Sequence, residues 1–107
     1  LFGWKPNSEL NWRVEDGALV SDDGKPGLLQ TTSRFADYDL KCDFRVENGG
    51  NSGLFLRSAF TPTDPATDCY ELNICDSHPM FKSGSLVKRA QPKKEITADG
   101  AWHTFHV

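Results

Sequence analysis

Five side chains in one stretch of the chain, Arg57, Glu71, Asn73, Asp76 and His78, carry the groups most able to do chemistry. Glu71-x-Asn73 and Asp76-x-His78 follow each other within a single apolar-patterned run, Cys69 to His78. Strand side chains alternate between the two faces of a sheet. Tyr70, Leu72 and Ile74 then share an aliphatic face, and Glu71 and Asn73 share the other. In the run Asn51 to Ser58 the same parity sets Leu54 and Leu56 against Gly53, Phe55 and Arg57. One reading of the polar side is a face turned to water. The other is a ligand-binding face, where a glycine, an aromatic ring and a few polar groups meet a polar substrate. Alternation alone leaves both open.

The elements that position these groups are short strands. Tyr38 to Glu47 alternates without a break, with Tyr38, Leu40, Cys42, Phe44 and Val46 apolar and Asp39, Lys41, Asp43, Arg45 and Glu47 charged. That pattern predicts one face in a core and one in water. Asn48-Gly-Gly-Asn51 is expected to turn this strand back on the 52–59 run as an antiparallel hairpin, with Val46, Leu54 and Leu56 inward. Upstream, Asp16-Gly17 between Trp12-Arg-Val-Glu and Ala18-Leu-Val is a two-residue hairpin signal. Asp22 to Gly27 is a turn cluster, and Leu28 to Thr32 a short strand. Thr61 to Thr67 holds two prolines and cannot be a central strand. Ser77 to Ser83 is a loop, followed by a short strand at Ser85 to Lys88. Trp102 and Phe105 disagree in parity, so neither His103 nor His106 receives a role. About eight short strands without helical periodicity predict an all-β sandwich.

These blocks resemble, in order, the signature blocks of a bacterial family. Gly-Gly-Asn-Ser-Gly-Leu-Phe-Leu-Arg (49–57), Tyr-Glu-Leu-Asn-Ile-Cys-Asp (70–76) and Ser-Gly-Ser-Leu-Val (83–87) are similar to those of the 3-keto-disaccharide hydrolase family. Further likenesses are Leu-Phe-Gly-Trp at 1–4, Trp-Arg-Val-Glu-Asp-Gly-Ala-Leu at 12–19 and Ala-Trp-His-Thr-Phe at 101–105. The resemblance implies a concanavalin A-like jelly-roll β-sandwich, here a single domain over 1–107 and an N-terminal portion of a larger one. It implies substrates already oxidised to a ketone at C3 of the sugar, and a location that is secreted or periplasmic. The ketone acidifies the C2–H, a base forms the enolate, the C1 leaving group departs, and water addition completes a net hydrolysis. This chemistry asks for a base, a stabiliser of the enolate oxygen and help for the leaving group. Glu71 or His78 suits the base, Arg57 the stabiliser, and Asn73 a hydroxyl-binding amide. Asp76 and His78 are an oxygen and a nitrogen donor two residues apart, suited to a divalent metal ion.

Other classes fare less well. Net charge is −3 and pI about 5.5, and no aromatics interleave the basic cluster of Lys88, Arg89, Lys93 and Lys94, so nucleic acid is not the expected partner. That cluster reads as a solvated loop or, through Lys88, as a rim for an anionic or polyhydroxyl ligand. No apolar run approaches the roughly 20 residues of a membrane span. Two facing carboxylates for ordinary glycoside hydrolysis are not both present on the patterned face, and no nucleophile elbow occurs. The three cysteines, Cys42, Cys69 and Cys75, are expected to stay unbridged. The competing readings are a lectin-like carbohydrate-binding module and an interaction domain. A module would show several aromatics on its ligand face, where this chain offers only Phe55.

Overall fold

Eight short strands and one helical turn make up the computed structural model of the chain, which describes residues 1–7, 11–22 and 26–107. The strands are β1 (Trp4–Pro6), β2 (Arg13–Glu15), β3 (Ala18–Val20), β4 (Leu29–Thr31), β5 (Lys41–Phe44), β6 (Ser52–Leu56), β7 (Tyr70–Ile74) and β8 (His103–His106), with α1 at Pro65–Asp68. The class is all-β, and the four strand pairs are all antiparallel. The chain divides into two compact units, Leu1–Tyr38 and Asp39–Val107.

In the first unit β1 pairs with β4 and β2 with β3. The β2–β3 connection follows from Asp16-Gly17. Both residues adopt positive φ, 51° and 76°, the twist that a two-residue turn between right-twisted strands requires. Arg13 then grips Asp22 with two 2.8 Å bonds. The expected turn at 22–27 lies partly outside the described residues, since Asp23 to Lys25 are not among them.

The second unit departs from expectation in one important place. β5 pairs with β8, and β6 with β7; the hairpin expected between 38–47 and 52–59 does not form. The reason lies in the turn. Gly50 N–H donates to Glu47 O at 2.8 Å, and positive φ occurs at Gly49 (77°) but not at Asn48. Positive φ at the second central position only is the type II pattern, whereas tight hairpin turns need it at the first. The strands on either side therefore diverge. Val46 instead bridges Asp99, with Gly100 N–H donating to Val46 O at 2.8 Å.

The inward parity holds nonetheless for Leu40 to Val46 and for Leu72 and Ile74, while Tyr38 and Tyr70, expected on the same faces, are exposed. Phe44, Ile74 and Ala98 form a buried cluster, with Val46 and Phe105 packed against it. Phe44 and Phe105 approach to 4.4 Å between ring centroids. This core draws on both strand pairs, so burying it holds them together. Leu54 and Leu56 are half-buried, and the odd-numbered residues from Asp39 to Glu47 are exposed. Cys42, Cys69 and Cys75 are all free thiols. The Thr61–Thr67 region is no strand; it leads into α1, where the Asp68 carboxylate accepts from the N–H groups of Thr63 and Asp64.

Candidate functional site

β7 is the middle strand of the site. β6 lies along one edge, in the register Gly53↔Asn73, Leu54↔Leu72 and Phe55↔Glu71. Along the other edge Asn73 N–H donates to Ser85 O (2.9 Å) and Val87 N–H to Glu71 O (3.0 Å). The expected 85–88 strand is thus a short edge segment that bridges only at Leu86. It enters through a turn in which Ser85 N–H donates to Lys82 O and Gly84, at φ 87°, donates to Asn73 O. A left-handed glycine that adds one residue opposite Asn73 is a G1 bulge.

Cross-strand partners share a face, so Gly53, Phe55, Glu71 and Asn73 lie together, as their parity requires. Their environments differ sharply. Asn73 is only 2% exposed, because the 78–85 segment covers it, and its Nδ2 donates to Phe81 O. Its amide is therefore turned to the protein, and the open polar face expected there is closed at this point. Phe55 is half-buried beside Glu71. The space above Gly53 is filled from within: a Cβ there would stand 2.8 Å from Glu71 Oε1. The missing side chain makes room for Glu71 rather than for a ligand.

Glu71 itself is half-buried, and among the described residues no hydrogen bond or ion pair reaches its carboxylate. Burial pushes its pKa above the ordinary range, and the nearby charge of His78, when present, opposes that shift. His78 sits in the covering loop. Its Nδ1 accepts the N–H groups of Phe81 (2.7 Å) and Met80 (3.1 Å). A nitrogen that accepts two N–H bonds carries no proton, which places the proton of the neutral ring on Nε2.

Asp76 is spent on structure. Its carboxylate accepts from the Ser83 hydroxyl (2.6 Å), from Ala98 N–H (2.8 Å) and from Asp99 N–H (3.0 Å). Partial burial would raise its pKa, but these donors hold it below the usual carboxylate range. The Asp76/His78 pair therefore does not fit a divalent cation. The carboxylate is already saturated, and metallation of Nε2 would drive its proton to Nδ1, against two N–H donors.

Arg57 follows the end of β6 with φ at 53°. The strand breaks there, so the parity that placed Arg57 with Phe55 does not extend to it. Lys88 (φ 59°) is exposed at the tip of the turn that folds Ala90 back on Leu86. Neither is brought up to Glu71 by strand register. In the remaining basic cluster Arg89 lies 4.3 Å over the Tyr70 ring. Of the two late histidines, His103 stacks at 5.8 Å against Phe44, and His106 meets Asp39 at 2.9 Å.

Sequence reasoning missed two contributors. Ser83, fully buried, anchors Asp76, and the backbone of Met80 and Phe81 sets the state of His78. Ser-Gly-Ser at 83–85 carried a signal for the first, since a glycine between two serines after a loop marks a tight turn. Backbone donors leave no sequence signal.

Comparison with known proteins adds a family. A family model described as "3-keto-alpha-glucoside-1,2-lyase-like domain" matches residues 1–107. The chain is 31% identical over 65 residues to a curated "3-keto-disaccharide hydrolase" of Bacteroides thetaiotaomicron. That alignment covers 50% of the chain and 22% of the relative, so the chain spans a minor part of that protein's length. No solved structure matches it.

Proposed function

Because the chain belongs to the family of 3-keto-alpha-glucoside-1,2-lyase-like domains, we propose that it acts on glycosides carrying a ketone at C3, with Glu71 as the base. The observation that carries this reading is the state of Glu71: a half-buried carboxylate with no hydrogen-bond partner among the described residues and a raised pKa. Structural carboxylates are bonded. An unbonded one on a sheet face, with its pKa moved toward neutrality, is suited to take a proton and give it back.

In the proposed reaction the C2–H bond breaks and its proton passes to Glu71. The electron pair forms a C2–C3 double bond and leaves negative charge on the C3 oxygen. That charge returns, the C1–O bond breaks, and a C1–C2 double bond forms. The departing oxygen takes up a proton, which protonated Glu71 can return. Addition of water across the new double bond gives net hydrolysis; without it the reaction is a lyase step. In this reading Phe55, the cross-strand partner of Glu71, packs against the sugar ring, and Lys88 and Arg57 belong to the periphery. The substrate class fits export to the periplasm or beyond.

The test is to incubate the intact protein with a 3-keto-glucoside and measure aglycone release. Turnover that disappears in Glu71→Gln supports the reading. Saturable binding without turnover in the wild type replaces it with a carbohydrate-binding module.

A further inference from the structure

We infer that His78 acts as a neutral electrophile, its Nε2–H bonding the C3 oxygen as negative charge develops there, and that Asn73 is the positioning residue holding it in that state. This rests on the proposed reaction and assigns its second group, the one that stabilises the enolate.

The argument follows one chain of hydrogen bonds outward from β7. Asn73, one residue before the end of β7 and 2% exposed, donates through Nδ2 to Phe81 O. A carbonyl oxygen only accepts, so the amide nitrogen must be the atom facing it. That bond anchors the carbonyl of Phe81, and the N–H of the same residue, in the peptide unit before it, donates to His78 Nδ1 at 2.7 Å, seconded by Met80 N–H at 3.1 Å. Nδ1 thus holds a lone pair, and Nε2, across the ring, holds the hydrogen. Protonating Nδ1 would set a third N–H against the two that already point at it.

The ring is therefore unsuited to two roles its residue type invites. It is not the base, because its remaining lone pair is occupied. It does not donate through Nδ1, which faces two N–H groups as an acceptor. What it retains is one N–H donor, on the loop that Asn73 bonds two residues along β7 from Glu71. A neutral imidazole with its acceptor nitrogen tied to backbone N–H groups is a recognised means of polarising a carbonyl beside a carboxylate base. Such donors act most strongly on charge that develops only in the transition state. Glu71 and His78 then divide the labour: one accepts the C2 proton, and the other holds the electrons that remain. The Asn73 amide, which the chemistry implied by the family resemblance suits to a sugar hydroxyl, serves the substrate one step removed.

The experiment is nitrogen-detected NMR of the intact protein with 15N-labelled histidine, at neutral pH and without substrate, His78 being assigned by its loss in His78→Gln. The expected spectrum shows His78 with an unprotonated Nδ1 and a protonated Nε2. An Nδ1–H tautomer, or protonation of both nitrogens, overturns the inference whatever the turnover proves to be. Asn73→Ala is then expected to populate the Nδ1–H form and to lower kcat on a 3-keto-glucoside about tenfold, with KM within about twofold. A folded Asn73→Ala with an unchanged His78 spectrum overturns the positioning role. Should that variant not fold, Asn73→Asp, which also lacks the donor, takes its place under the same criteria. Absence of wild-type turnover on 3-keto-glycosides removes the proposed reaction but leaves the tautomer measurement standing, so the two failures are distinguishable.

Discussion

Glu71 and Asp76 lie five residues apart, one within β7 and one just past its end, yet the protein treats them in opposite ways. Around Asp76 three donors converge, and the carboxylate joins the end of β7 to Ser83 and to the 98–99 backbone. Around Glu71 no donor converges among the described residues, and the glycine opposite supplies space instead of a bond. Asp76 is held below the ordinary pKa, and Glu71 is pushed above it. A carboxylate that completes a backbone network is architecture. One that is desolvated and left unbonded adds no hydrogen bond to the fold, which suits a task outside it.

The strongest way to break this contrast is Glu71→Gln. Loss of a general base reduces turnover by about 10²-fold or more, while no bond in the fold depends on the carboxylate. The variant should unfold at the same temperature as the wild type or slightly above it. A Glu71→Gln enzyme with near-normal turnover on a 3-keto-glucoside would make the two carboxylates functionally alike.

Asp76→Ala should do the reverse. Hydrogen bonds to charged groups are worth about 1.5–3 kcal/mol each, and removal leaves the buried Ala98 N–H without a partner. A loss of about 2–4 kcal/mol in stability is expected, read from denaturant midpoints. The pH dependences also have opposite signs. A carboxylate with a lowered folded pKa contributes stability above its unfolded value of about 3.9, and loses it as pH falls through the folded value. Asp76→Ala should therefore flatten the acid limb of the wild-type stability curve. Glu71, with a raised pKa, contributes stability only in acid and loses it as pH rises through the folded value. Glu71→Gln should accordingly gain on the wild type as the pH rises toward neutrality.

How much of this the sequence shows depends on the kind of physics involved. Parity is local and survives: Leu72 and Ile74 go inward, Gly53, Phe55, Glu71 and Asn73 share a face, and Asp16-Gly17 makes its hairpin. Strand pairing is not local. The partner of β5 is β8, about sixty residues on, and the turn at Gly49 has the conformation that goes with diverging strands rather than with the nearer hairpin. The site divides along the same line. Residue types single out Glu71 and His78 as groups able to do chemistry, but backbone N–H groups decide that Asp76 is a clamp and that His78 Nδ1 is an acceptor. A backbone donor has the same letter in every sequence.

Gly53→Ala sharpens the comparison with a smaller change. The new Cβ would meet Glu71 Oε1 at 2.8 Å and Leu72 O at 3.2 Å. The carboxylate end of a flexible side chain can swing aside, so folding stability should fall by no more than about 1 kcal/mol. Displacement of a reacting group by about an ångström carries a larger penalty in rate, on the order of tenfold to a hundredfold. Turnover should thus drop while the unfolding midpoint scarcely moves. Equal losses in both would mean that Glu71 is held as rigidly as Asp76.

Arg57→Ala is expected to have the smallest effect, and its value lies in what it separates. A cation near the enolate is one solution to the charge that develops on the C3 oxygen, and residue type alone favours Arg57 for it. Yet β6 ends at Leu56, Arg57 is exposed with φ at 53°, and strand register does not bring it up to Glu71. An exposed guanidinium is screened by water, and its removal typically changes an energy by no more than about 0.5 kcal/mol, roughly twofold in rate. Turnover within about threefold of wild type, with the pH optimum unmoved, would leave stabilisation of the enolate to His78. A fall of a hundredfold or more would place the guanidinium at the reacting oxygen. The contrast between Glu71 and Asp76 would survive that result, but the division of labour between Glu71 and His78 would not.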